Sequence, residues 1–395
     1  MTTRCMAKSK KLKIAFLGSR GIPARYSGFE TFFEQLATRL VKRGHQVTVY
    51  NRSHFIRDIK YKYQGVCIVS LPCIPSKHLD TFTHTLISSL HTLFKNYDIV
   101  YYCIVGNSPL VWIPRLAGAK VLLNVDGEDW LREKWSGFAR LYQRKCEWVS
   151  AKMAQVIISD AHAIQERYYN SYGVRSIFVP YGANIQYDSD LQALQKFGLQ
   201  PDQYLLYVGR LVPENGIDLR IKAFKKVKTE KKLVIIGDAP YAEKYKQYLH
   251  EIADNRVIFT GYTFDSDYAQ LSSHAYFYIQ PSGIEGTRPA LLDQMGFGNC
   301  VLVRNSTVNM EVVGSCGCLF DGARKFQGLT EKLQELVDFQ ETVIYFRKKS
   351  RSRIEQYYNW EWLTDFYEDL FMRMVLKKNL ISYDEYLSTR TKVYG

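Results

Sequence analysis

Residues able to hold phosphate and vicinal hydroxyls gather in four short stretches, each set just after an apolar run. In "YVGRLVPENG", residues 207–216, Gly209 and Arg210 close such a run. A guanidinium forks two hydrogen bonds to neighbouring phosphate oxygens, although a surface ion pair is an equally available use. In "PSGIEGTRPALLDQMGFGNCVLV", residues 281–303, Glu285 and Asp293 are separated by seven residues that include Gly286, Thr287 and Arg288. Carboxylates accept paired hydrogen bonds from vicinal hydroxyls, so one can read a sugar and the other a ribose. The N–H groups at the start of the following helix would meet a diphosphate. A plain helix cap and a surface charge are the alternative.

The third stretch, "NVDGEDWLREKW", places Asp126 at a strand end with Glu128 and Asp129 behind it. Asp-x-Glu can coordinate a divalent metal, but no further ligand pattern accompanies it, and no metal is assigned. The fourth, "FLGSRGIPARYSGFETFFEQLATRL", carries Gly18, Gly21 and Gly28 between a first strand and a helix expected from Glu30 onward. A dinucleotide fingerprint needs G-x-G-x-x-G and an acidic residue about 20 positions later, and this spacing lacks it. Gly28 lets backbone N–H groups approach a phosphate, or is an ordinary loop glycine.

The elements that must position these loops alternate strand with helix. "KIAFLG", "HQVTVYNR", "DIVYYCIV", "KVLLNVDG", "AQVIISD" and "SIFVPYG" read as strands, and the rhythm restarts with "YLLYVGR", "KLVIIGD", "RVIFTGY", "AYFYIQPS" and "CVLVRN". Such alternation implies parallel sheets covered on both faces. With 395 residues, two domains are expected. They are an amino-terminal Rossmann-like domain over 1–185, a linker over 186–200, a carboxy-terminal Rossmann-like domain over 201–357, and a helical segment over 358–395 that packs back on the first domain. Open parallel sheets bind ligands beyond the carboxyl ends of their strands, so two facing domains would share a cleft.

Bulk properties narrow the partners. The net charge of +14 suits an anionic partner: nucleic acid, an acidic membrane face or a phosphorylated substrate. No zinc finger, RNP-like strand or repeated basic helix accompanies the charge, which argues against nucleic acid. No apolar run reaches the roughly 18 residues of a membrane span. The basic amino terminus lacks a signal-peptide core, and the eight scattered cysteines form no CxxC pair, so a cytoplasmic address with reduced thiols is expected. The helical stretch "HLDTFTHTLISSLHTLFKNY" has apolar residues at helical spacing, to pack on a sheet or to touch lipid. Its histidines make no i,i+4 metal pair.

Taken together, the four loops resemble the retaining nucleotide-sugar glycosyltransferases of family 4, which have the GT-B fold of two Rossmann-like open parallel-sheet domains facing a central cleft. The resemblance runs from "KIAFLGSRGIPARYSGFETF" to "NWEWLTDFYEDL". "GIPARYSGFETF" and "NVDGEDWLREKW" are similar to a bacterial rhamnosyltransferase-like branch acting in capsule, O-antigen or exopolysaccharide assembly.

The family pattern carries over unevenly. Its Gly-Gly before the first helix stands here as Ser27-Gly28, and its Gly-Arg contact to the diphosphate as Gly209-Arg210. The lysine that follows in the family is Asn215, which removes one charge, with Arg288 as a compensating cation. The Glu-x7-Glu signature becomes Glu285 to Asp293, and a histidine of many relatives is replaced by Asp126. The resemblance implies transfer of a glycosyl (hexosyl-type) group from a nucleoside diphosphate sugar, with retention and without a metal or other cofactor. Arg210 and Arg288 would carry leaving-group charge, Gly28 a backbone contact, Glu285 the donor sugar, Asp293 the ribose and Asp126 the sugar or acceptor side. The acceptor would be a glycan or polyprenyl-linked glycan, reached as a peripheral protein at the inner membrane face. A non-catalytic sugar- or nucleotide-binding subunit with the same fold is the rival reading.

Overall fold

A computed structural model describes residues 10–25, 28–59, 61–76, 79–125, 137–239, 242–280 and 287–394. The chain divides into two compact units, residues 1–180 with 360–395, and residues 181–359.

The first unit is built on strands β1 (Lys13–Leu17), β2 (Gln46–Arg52), β3 (Lys62–Tyr63), β4 (Val66–Leu71), β5 (Ile99–Cys103), β6 (Lys120–Val125), β7 (Val156–Ser159) and β8 (Ile177–Phe178). They form one sheet in the order β3-β4-β2-β1-β5-β6-β7-β8, parallel throughout except for β3 against β4. Its helices are α1 (Gly28–Lys42), α2 (Asp80–Thr92), α3 (Gly137–Met153) and α4 (His162–Tyr172). β5 reads IVYYC and is buried at every position, as a strand covered on both faces requires.

The second unit has α5 (Gln192–Lys196), β9 (Tyr204–Val208), α6 (Ile217–Lys225), β10 (Lys232–Ile236), α7 (Glu243–Ile252), β11 (Val257–Gly261), α8 (Asp265–Ser273), β12 (Phe277–Gln280), α9 (Pro289–Gly296), β13 (Val301–Arg304), α10 (Thr307–Val313), β14 (Cys318–Phe320), α11 (Lys325–Asp338) and α12 (Gln340–Tyr357). Its sheet has the order β11-β10-β9-β12-β13-β14, and all its pairings are parallel. Among the parallel strands of each sheet the order reverses at a central pair, β1/β5 in the first and β9/β12 in the second. Ligands of such sheets sit beyond the strand ends at that pair.

The helical segment expected over 358–395 is two helices, and it is set off from the preceding helix by a break at Tyr358 and Asn359. Ala183 N donates to the Tyr358 carbonyl at 2.9 Å and Ala183 bridges Asn359, so the backbone here pairs with an extended partner instead of continuing the helix. The helices α13 (Trp360–Val375) and α14 (Tyr383–Tyr394) then belong to the first unit. Phe32 of α1 meets the rings of Trp360 and Tyr367 at centroid distances of 6.1 and 5.6 Å. The Tyr367 hydroxyl lies 3.3 Å from that of Tyr101 on β5. Aromatic pairs of this kind contribute about 0.5–1.5 kcal/mol each beyond burial. Outside them, Arg43 pairs with Glu361, Asp365 and Glu368 at 3.0, 2.6 and 3.1 Å.

The helix α2 faces the opposite way from a packed amphipathic helix. Its small polar side is buried, through His84, Thr85, Ser88, Ser89 and Thr92, while Ile87 and Leu90 are exposed. Hydroxyls make this possible: Thr85, Ser89 and Thr92 each satisfy their oxygen on a carbonyl of the preceding turn, and Ser89 also meets the Tyr102 hydroxyl at 2.7 Å. His84 Nε2 lies 3.0 Å from the Asn51 carbonyl, and burial holds its imidazole down to about 4, hence neutral.

Candidate functional site

In the first unit the opening loop leaves β1 at the strand pair where the order reverses. Gly18 has φ +103°, and a Cβ there would stand 2.6 Å from the carbonyl oxygen of Cys103, the last residue of β5. Gly21 has φ +112°, and its Cβ would fall 2.1 Å from Asn51 Oδ1. Glycine is required at both because neighbouring atoms fill the space. Asn51 clamps the loop twice, accepting from Ile22 N at 3.0 Å and donating to its carbonyl at 2.7 Å. Glu30 accepts from Arg20 N at 2.8 Å and Glu34 from Ala24 N at 2.6 Å. The loop is thus tied to α1 and β2 before any ligand arrives. Gly28, expected in the loop ahead of the helix, is the first residue of α1. Asp126, Glu128 and Asp129 lie outside the described residues.

In the second unit three strand ends converge. Gly209 N donates to the Ile236 carbonyl and Gly237 N to the Gly261 carbonyl, both at 2.9 Å. Gly237 has φ +135°, and its Cβ would lie 2.1 Å from the Gly209 carbonyl oxygen. A Cβ on Gly209 would stand 2.3 Å from the hydroxyl of Tyr207. Arg210 follows, half-buried, and among the described residues its guanidinium makes no hydrogen bond or ion pair. Among those residues, the surface ion pair considered from sequence is not made. Asn215 is buried in a short 3-10 turn, and its amide donates to the Arg210 carbonyl at 2.8 Å. Gly216, with φ +62°, then opens α6.

Arg288 is the residue before α9, and Thr287 is buried beside it. Glu285 and Gly286 lie outside the described residues. Asp293 sits in the second turn of α9, farther along the helix than a first-turn cap. Enclosure by the protein pushes its carboxyl up to about 7, opposed by a hydrogen bond from the Tyr268 hydroxyl. Tyr278, on β12, feels the charges of both Arg288 and Asp293, which puts those two side chains in one neighbourhood. α9 is fixed by a buried amide network: Gln294 donates to Ser272 Oγ at 2.8 Å and accepts from Asn299 at 2.7 Å.

The structure thus gathers Gly209, Arg210 and Asn215 at the end of β9, and Arg288 with Asp293 around Tyr278 of the neighbouring strand. The side chains that sequence reasoning missed are Tyr207, Tyr268, Tyr278 and Arg220. Arg220 left a signal: it falls on the buried stripe of α6 between Ile217, Ile221 and Phe224, where an apolar residue is due.

Residues 202–338 match the family model for glycosyl transferases group 1, and residues 11–184 match a domain of unknown function (DUF1972). The chain is 20% identical over 375 residues to O-antigen chain mannosyltransferase C of Escherichia coli, covering 90% of this chain and 97% of that one. It is similar in structure to sucrose-phosphate synthase from Thermosynechococcus elongatus, with TM-score 0.79 and 18% identity over 93% of this chain and 100% of that one. HepE of Anabaena, solved in complex with UDP and glucose, gives TM-score 0.75 and 17% identity over 91% and 98%. The fold is α/β with two parallel-sheet domains, as in these solved glycosyltransferase structures, and residues 202–338 carry the group 1 glycosyl transferase match.

Proposed function

We propose that this protein transfers a hexosyl or deoxyhexosyl group from a nucleoside diphosphate sugar to a glycan or polyprenyl-linked glycan, with retention at the anomeric carbon, in cell-surface polysaccharide synthesis. The observation that carries it is Arg210: a guanidinium without a partner among the described residues, at the strand end of a group 1 transferase match, beside the start of α6. A helix start and an arginine together favour an anion. The incoming hydroxyl oxygen bonds to the anomeric carbon on the leaving-group face as the bond to the phosphate oxygen breaks, and its proton passes to the donor phosphate. Arg210, with Arg288 in support, offsets the charge that develops on the departing diphosphate. Asp293 takes the ribose hydroxyls. Glu285 is assigned the donor sugar with Gly286 and Thr287 beside it, Asp126 the sugar or acceptor side, and Gly28 a backbone contact, all on motif. No metal has a role in this reading, so turnover should survive EDTA.

The acceptor reading extends to the inner face of an acidic membrane. It is supported by the outward apolar side of α2, by the exposed Phe94, Trp112 and Leu116 nearby, and by Leu141 and Trp148 among the exposed Arg140, Arg144, Lys145 and Lys152 of α3. Aromatic and aliphatic side chains interleaved with cations fit anionic lipid.

The test is a panel of UDP-, GDP- and dTDP-sugars, mannose and rhamnose donors included, with a membrane lipid extract as acceptor source. Transfer from one donor identifies the substrate. Binding without transfer across the panel would make the protein a non-catalytic binding subunit.

A further inference from the structure

We propose that Arg220 is a further cation of the anion site at the end of β9, held inside the fold and acting through Tyr207. This rests on the donor-site reading above. Arg220 is 0% exposed, and among the described residues Tyr207 is the side chain that approaches its guanidinium, with no well-formed hydrogen bond at Nε, Nη1 or Nη2. Its guanidinium carbon lies over the Tyr207 ring, 3.7 Å from the centre. Tyr207 is the fourth residue of β9, and its hydroxyl reaches the space that a Cβ on Gly209 would occupy. The stack therefore links the interior of α6 to the backbone of the Gly209–Arg210 loop.

Among the described residues, no carboxylate pairs with this charge. The nearest acidic neighbour in sequence, Asp218, accepts from the Tyr245 hydroxyl at 2.9 Å and faces Lys222 at 3.7 Å. The groups that do act on Arg220 are phenols: Tyr207 first, then Tyr278 and Tyr245. Burying a cation without a counter-charge costs several kcal/mol, and a well-packed apolar side chain of similar volume is usually neutral or better. An anion seated at Gly209 and Arg210 would supply the missing charge. A cation against the ring face also draws electron density from Tyr207, which makes its hydroxyl a better donor toward that anion. Arg220 thereby offsets the charge lost where Asn215 replaces a lysine. It is a positioning residue, since the ring lies between it and the ligand.

The experiment measures binding of inorganic pyrophosphate and of UDP, GDP and dTDP to the full chain by calorimetry, together with melting temperatures, for wild type, R220M, R220K and R210A. Arg220→Met keeps the volume and removes the charge. It should weaken pyrophosphate binding by about tenfold or more while the ligand-free melting temperature holds or rises. Arg220→Lys keeps the charge and should bind within about threefold of wild type. Affinity in R220M equal to wild type overturns the proposal, and so does a lower ligand-free melting temperature with affinity retained. If R220M does not fold, R220K decides: a tenfold loss there overturns it. R210A separates the two readings. Should R210A lose binding while R220M keeps it, only the role of Arg220 falls. Should wild type bind none of these anions, or R210A bind like wild type, the donor site itself falls.

Discussion

The side-chain amide of Asn215 donates a hydrogen bond to the carbonyl oxygen of Arg210, 2.8 Å away. A position that reads in sequence as a weakened phosphate contact is a brace for the neighbouring arginine. Arg210→Ala should lower kcat/KM by about 100-fold or more, the scale of removing a charge-stabilising donor. Asn215→Ala leaves the guanidinium in place and loosens only its backbone, so its loss should be about tenfold and concentrated in KM. Initial rates on the donor that the panel selects give both numbers. Equal losses would mean that Asn215 touches the donor itself.

Asp293 makes the site pH-sensitive. Its carboxyl is pushed up to about 7 from an ordinary value of 3.8, because the surrounding protein partly desolvates it. A raised carboxyl holds its proton more tightly in the folded state than in the unfolded one. The stability it contributes is therefore complete below about pH 4 and is lost as pH rises toward 7. Asp293→Asn should flatten the fall of melting temperature across that window, read by a thermal scan at half-unit pH steps. Ribose hydroxyls donate best to the ionised form, so nucleoside diphosphate affinity should rise between pH 6 and 8 in wild type and stay level in the variant. A pH-independent wild-type affinity would remove Asp293 from the ribose.

Much of the framework was legible because fully buried parallel strands read as apolar runs. IVYYC, YLLYV and FYIQ announce themselves, and the segments after the last two carry Gly209, Arg210 and Arg288. VCIVSL of β4 mixes exposed with buried positions, and CLF of β14 is three residues long, so neither stood out. The facing of α2 was not legible because hydroxyls that bond back to their own helix behave as small packing groups, a property that composition does not show. Nor was the true work of Gly18 and Gly21: their glycine requirement comes from Cys103 and Asn51, residues distant in sequence. Arg220 and Tyr207 are thirteen positions apart, and only the fold shows that they stack.

Gly237 tests how tightly the strand ends converge. Its added Cβ would meet the Gly209 carbonyl oxygen at 2.1 Å and the carbonyl carbon at 2.9 Å, both backbone atoms that cannot swing aside. Gly237→Ala should cost about 1–3 kcal/mol in urea unfolding and weaken nucleotide binding, because the Gly209–Arg210 loop must shift. Gly261→Ala is the control: φ is +70° there, but nothing lies within 4 Å of the new Cβ. It should cost about 1–2 kcal/mol of backbone strain and leave binding unchanged. Binding retained in Gly237→Ala would separate the loop from the anion site.

Tyr367 tests why the chain returns to its first unit. The side chain is fully buried, with ring centroids 5.6 Å from Phe32, 5.9 Å from Tyr101 and 5.8 Å from Phe371. Tyr367→Ala leaves a cavity where these rings meet and should cost about 3–5 kcal/mol, whereas Tyr367→Phe loses one hydroxyl contact and about 1 kcal/mol. Glu361→Ala removes the pairing with Arg39 and Arg43, yet the Glu361 side chain is 62% exposed and solvent screens the pair. That change should cost under about 1 kcal/mol. Urea unfolding of the three variants ranks aromatic packing against surface charge. If Glu361→Ala proved as costly as Tyr367→Ala, charge rather than aromatic packing would be what holds α13 on α1.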